Sequence, residues 1–174
     1  MIKEQQKELK QLLRYLFMEK SILLSSMTRV RAVLYIINEN KDISLRELAS
    51  HTKQNIDKLF PLLYTCSVLG FIKITKSNVK ITILGKKFLK TPYETTKKVL
   101  KKTQPFKEIF KLLKNNSMGT IELTHLLIKK DLLSGNPTEL EELLKQSLNS
   151  WCINTNILSY DIKKDMWHLK STLS

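Results

Sequence analysis

The sequence is poor in the residues from which covalent frameworks and irregular chains are built. Its 174 residues include two cysteines, four glycines and four prolines. Cys66 and Cys152 lie far apart and share no motif, so neither a disulfide framework nor a Cys-rich zinc site is written here. A reducing, cytoplasmic setting is expected. So little glycine and proline excludes collagen-like and low-complexity chains. Histidine is also scarce: His51, His125 and His168 fall in three separate elements without triad or ligand spacing, so no catalytic group, metal or cofactor is expected. Long apolar runs are missing too. The stretch Leu12 to Met27 is interrupted by Arg14, Glu19 and Lys20 and has no small-residue cleavage site, which argues against a membrane span and a signal peptide.

What is present is a sizeable apolar fraction, 42%, and a large excess of positive charge. The length suits one ordinary domain or two small ones. Lys plus Arg outnumber Asp plus Glu by 30 to 16, a net charge of +14. The excess is local: residues 1–70 carry 11 basic and 7 acidic side chains, residues 71–114 carry 13 and 2, and residues 115–174 carry 6 and 7. Such a band favours polyanionic partners. Because 26 of the 30 cations are Lys, it also reads as a set of solvated faces filled from Lys codons.

Apolar side chains at Leu9, Leu12, Leu13, Leu16, Phe17, Leu23 and Leu24 predict an amphipathic helix over residues 6–24. Its stripe suits either the body of the same chain or a second copy, which makes a homodimer through residues 6–24 an expectation. Val30, Val33, Leu34 and Ile37 then give a helical face. Ser44 and Glu47 form a capping box before a short helix, Leu45 to His51. A third helix runs to Gly70, with Ile56, Leu59, Phe60, Leu63, Cys66 and Leu69 expected inward and Asp57, Lys58, Pro61, Thr65 and Val68 outward. Two β-like runs follow, Phe71 to Thr75 and Val79 to Ile83.

Three helices and a hairpin are the order of a winged helix-turn-helix. The order recurs more faintly: Thr95 to Asn115 is helical with a break near Pro105, Ile121 to Lys130 and Asn136 to Asn149 are helices, and Ile157 to Tyr160 and Met166 to Leu169 flank a turn. The fold class expected is mostly α with small β hairpins, an α+β arrangement of two tandem winged-helix units. The divisions are a leading helix at 1–27, a first unit at 28–91, and a long Lys-rich connecting helix with the second unit at 92–174.

The run Leu59-Phe60-Pro61-Leu62-Leu63, then Leu69-Gly70-Phe71 and Thr82-Ile83-Leu84-Gly85, resembles the AAA-associated C-terminal domain. Trp151 and Ser159-Tyr160-Asp161 are similar to positions near the end of that domain, so the likeness spans residues 28–170. It departs after Trp151, where Cys152, Ile153 and Asn154 replace small, basic and aromatic residues. The family usually follows the ATP-binding subunit of nitrate/sulfonate/taurine-type ABC transporters. The resemblance therefore implies a regulatory role beside an ABC-type ATPase, in a chain that does not itself include the ATPase.

No enzyme motif is found. Gly85-Lys86 is not a phosphate loop, since position 80 is Lys rather than Gly and position 87 is Lys rather than Ser or Thr. Glu139, Glu141 and Glu142 stand in a helix's first turn, where they suit its dipole. For DNA, the start of the third helix offers Lys53, Gln54, Asn55 and Lys58, and only Gln54, Asn55 and Lys58 could address base edges. Lys73, Lys76, Lys80, Lys86, Lys87 and Lys90 are candidate phosphate contacts. A weakly sequence-specific DNA-binding protein acting as a transcriptional regulator is thus the first expectation. A protein-interaction adaptor for an ABC-type ATPase is the second.

Overall fold

A computed structural model describes residues 21–75 and 78–170. The helix expected over residues 6–24 lies outside them except for residues 21–24, which are helical. Ser26 caps α1 (Met27–Asn40) by accepting from the Arg29 amide, and the predicted face Val30, Val33, Leu34 and Ile37 is buried. β1 (Ile43–Ser44) leads into α2 (Leu45–Thr52). The Ser44 capping box forms in full: Ser44 Oγ accepts from the Glu47 amide at 3.2 Å, and Glu47 Oε2 accepts from the Ser44 amide at 2.9 Å. Asn55 caps α3 (Ile56–Val68), which continues through Pro61. Gly70, at φ 74°, turns the chain where a Cβ would be strained. β2 (Ile72–Thr75) and β3 (Asn78–Ile81) then form an antiparallel hairpin, and β1 pairs with the other side of β3 to give the order β1-β3-β2.

The hairpin is followed by α4 (Ile83–Lys90), and the Lys-rich connector expected over Thr95 to Asn115 with a break near Pro105 is two helices, α5 (Pro92–Leu100) and α6 (Phe106–Leu112). Proline sets both breaks. Thr91, before Pro92, is displaced to φ −132° and ψ 69°, outside the helical region that a following proline ring disfavours. Pro105, after a cis peptide bond, stands at the start of α6. Beyond it come β4 (Met118–Gly119), α7 (Thr120–Lys129), α8 (Pro137–Leu148), a π-helical turn (Asn149–Ile153), β5 (Leu158–Asp161) and β6 (Met166–Leu169), with sheet order β4-β6-β5. Each half thus runs helix, strand, helix, helix, hairpin, and the fold is mostly α with two small antiparallel sheets. The strands β1 and β4 are too short, at two residues each, for a period-2 pattern to show in sequence.

Both halves contribute to one apolar core, from Val30 and Leu34 through Phe88 and Phe106 to Trp151 and Trp167. The joint between them is specific. The Trp151 indole N–H donates to the Ser25 carbonyl at 2.8 Å, and the Met27 amide donates to Ser150 Oγ at 3.1 Å. Cys152, where the resemblance weakens, is fully buried in the same π-turn. Burial pushes both the Cys66 and the Cys152 thiols above their ordinary range, so both act as small core hydrophobes. Among the described residues, no helix is long and apolar enough to cross a membrane.

Candidate interaction surface

The solvent face of the first sheet carries a row of charges set by strand register. Lys73 on β2 pairs directly with Lys80 on β3, and like charges so placed repel. Across β3, Lys80 Nζ bonds Asp42 Oδ2 at 2.8 Å, and that bond holds the Asp42 carboxyl below its ordinary range. Lys80, a candidate phosphate contact in the sequence, is thus ion-paired while its side chain remains exposed. Asp42 lies one residue before β1 and reaches Lys80 only because β1 pairs with β3, an arrangement that sequence spacing does not show. Lys73 is exposed and makes no ion pair with a described residue. Lys76 lies outside the described residues.

Helix α4 supplies a second, more open set. Its inward side is Gly85 and Phe88, with the Phe88 ring stacked on Phe71 at 4.6 Å between centroids. Thr82 caps it, accepting from the Gly85 amide at 3.0 Å while its hydroxyl lies 2.7 Å from the Gly70 carbonyl. With that side fixed, positions 83, 86, 87 and 90 form the outward stripe. Ile83 is 89% exposed. Lys86, Lys87 and Lys90 are exposed beside it and form no ion pair with any described residue. The stripe thus combines one bare aliphatic side chain with three uncompensated cations.

At the turn between α2 and α3, Lys53 takes a left-handed conformation at φ 52°, and Lys53, Gln54, Asn55 and Lys58 are all exposed. Asn55 is occupied locally, since its side chain accepts from the Asp57 amide at 3.4 Å. The outward face of α3 differs from the sequence reading at two positions. Thr65 is buried, with Oγ1 2.9 Å from the Ser21 carbonyl, 3.0 Å from Ser25 Oγ and 2.9 Å from the Pro61 carbonyl. Phe60, expected inward, is 49% exposed. The turn at residues 21–25 packs on Thr65 and so adds that position to the buried face of α3.

In the second half, Trp151, Trp167 and Ile157 fill the core. Tyr160 is half-buried. Its hydroxyl donates to Asp165, its ring packs on Trp167 at 4.4 Å, and Lys145 Nζ lies 4.8 Å from the ring centroid and 3.4 Å from Asp165 Oδ1. The Tyr160 hydroxyl is the main cause holding the Asp165 carboxyl below its ordinary range, and it likewise raises the Lys145 ammonium. These groups satisfy one another. Nothing in the spacing of Lys145, Tyr160 and Asp165 announced the trio, because α8 meets the β5–β6 hairpin only in the folded chain. Among the described residues, no group of His, Cys, Asp and Glu is arranged to hold a metal.

No curated protein and no solved structure matches the chain. The sequence model described as the C-terminal AAA-associated domain matches residues 46–161, two thirds of the 174 residues, from α2 to the end of β5. On that match the chain belongs to the C-terminal AAA-associated domain family.

Proposed function

We propose that the chain is a non-enzymatic interaction domain of two winged-helix units, and that it docks an acidic face of an ABC-type ATPase through the α4 stripe. One observation carries the reading: Ile83, 89% exposed, stands in the same outward row as Lys86, Lys87 and Lys90. An aliphatic side chain among cations suits a protein interface, whose apolar centre is ringed by charge, better than a phosphate backbone. The family's association with ATPase subunits supports the choice of partner. Such a partner places the chain in the cytoplasm.

The test is isothermal titration of the full chain with a purified ATP-binding subunit of a nitrate/sulfonate/taurine-type transporter from the same genome. Binding is expected to weaken as salt rises, and K86E/K87E/K90E is expected to reduce affinity by about tenfold or more. No heat of binding with the unaltered chain ends the proposal.

A second reading, DNA binding in transcription regulation, is favoured by the exposed Lys53, Lys58 and Lys73, none in an ion pair with a described residue. With about six phosphate contacts, log affinity falls with log salt at a slope near −5. A gel-shift series on random duplex without any shift at low salt excludes it.

A further inference from the structure

The turn joining β5 to β6 holds out one bare aliphatic side chain. Ile162 is 82% exposed at the apex of this hairpin, and Lys163 and Lys164 beside it are exposed and form no ion pair with a described residue. The turn is braced from within. Asp161 Oδ1 accepts from the Lys163 amide at 3.0 Å and from the Lys164 amide at 3.3 Å. Its base is pinned as well: the Asp165 carboxylate accepts from the Tyr160 hydroxyl and lies 3.4 Å from Lys145 Nζ. Isoleucine and lysines are thus presented on a preformed support.

The same end of the second sheet carries more apolar surface. β4 pairs with β6 through Gly119 and Met166, and α7 opens directly afterwards, with Ile121 54% exposed in its first turn. Charge at the apex has one sign. Asp161 is committed to the turn and Asp165 to Tyr160 and Lys145, while the other neighbouring acids, Glu122 and Glu141, stand on helices α7 and α8 and not on the hairpin. Lys163 and Lys164 are therefore uncompensated where Ile162 protrudes.

We infer that this apex anchors the chain on the surface of an anionic phospholipid bilayer. Ile162 enters the boundary between headgroups and acyl chains, about 5–10 Å deep, while the stems of Lys163 and Lys164 follow it and keep their ammonium groups at the lipid phosphates. Shape selects this occupant. The apex is convex, so a protein would have to offer a matching pocket, and the minor groove of DNA, about 6 Å wide, would have to be wedged apart. A fluid bilayer closes around a protruding side chain without either. The net charge of +14 draws the chain to such a surface, and lying on it needs no spanning helix. The anchor uses none of the α4 stripe and stands independently of the partner proposed above.

The test is sedimentation of the full chain with vesicles of phosphatidylcholine alone and with vesicles of two parts phosphatidylcholine to one part phosphatidylglycerol, over a series of salt concentrations. Partition onto the anionic vesicles only, weakening as salt rises, is expected. I162S is expected to lower the partition coefficient about tenfold, and K163S/K164S about 25-fold, at roughly fivefold per lysine. I162W keeps an apolar anchor and is expected to retain binding, with its fluorescence moving to the blue on the vesicles. The native Trp151 and Trp167 are fully buried, so the shift reads position 162. No partition of the unaltered chain onto anionic vesicles overturns the proposal. So does equal binding by I162S and the parent, which marks diffuse adsorption of the lysines, or an I162S effect on duplex DNA binding in place of vesicle binding.

Discussion

Gly85→Ala is a sharp test of how α4 is seated. In an ordinary helix the change is favourable by about 1 kcal/mol, because glycine is the poorer helix former. Here the sign is expected to reverse. A Cβ at position 85 overlaps the Phe71 carbonyl oxygen and stands 2.8 Å from Ile81 Cγ1 and 3.1 Å from the Phe71 carbonyl carbon. The main obstruction is backbone, so no side-chain rotation relieves it. That carbonyl also accepts from the Thr82 amide at 2.9 Å, with Thr82 Oγ1 at 3.1 Å, so moving it weakens the cap of α4. Overpacking costs about 1–3 kcal/mol and each disturbed hydrogen bond about 1 kcal/mol. Set against the helix gain, the net loss is about 2–4 kcal/mol, a fall in Tm of roughly 5–15 °C for a chain of this size. Thermal unfolding followed by circular dichroism measures it. A Gly85→Ala protein melting at or above the parent temperature refutes the close approach of α4 to Phe71.

Trp151→Phe leaves the buried Ser25 carbonyl without its 2.8 Å donor and opens a small cavity, and a loss of about 2–3 kcal/mol is expected in urea unfolding. Because one core includes residues of both halves, calorimetry is expected to show a single cooperative transition for the full chain, with calorimetric and van't Hoff enthalpies equal. Asp165 is held below its ordinary value of 3.8, chiefly by the Tyr160 hydroxyl. Its folded pKa is the lower one, so its contribution is present above pH 3.8 and lost as pH falls through the folded value. Asp165→Asn is accordingly expected to flatten the acid limb of the stability profile, and an unchanged limb removes Asp165 from that account.

The helices were legible because their signals are local. The faces of α1 and α3, the capping box at Ser44 and Glu47, and the turn at Gly70 depend on residues within a few positions of one another. The same holds for the hairpins, whose strands are adjacent in the chain. The breaks at Thr91-Pro92 and Gln104-Pro105 were legible in the sequence as well, because a proline marks each of them locally.

Pairings between distant segments belong to the tertiary structure. Asp42 neutralises Lys80 only after β1 joins the edge of the hairpin. Thr65 turns inward because residues 21–25 dock against it, whereas Phe60 stays exposed. Composition and order along the chain thus determined the excess positive charge, the helical faces and the family. Which lysines remain uncompensated, and which apolar side chains remain in water, was decided by contacts across tens of residues, because desolvation and charge pairing depend on distance in space rather than on separation in sequence.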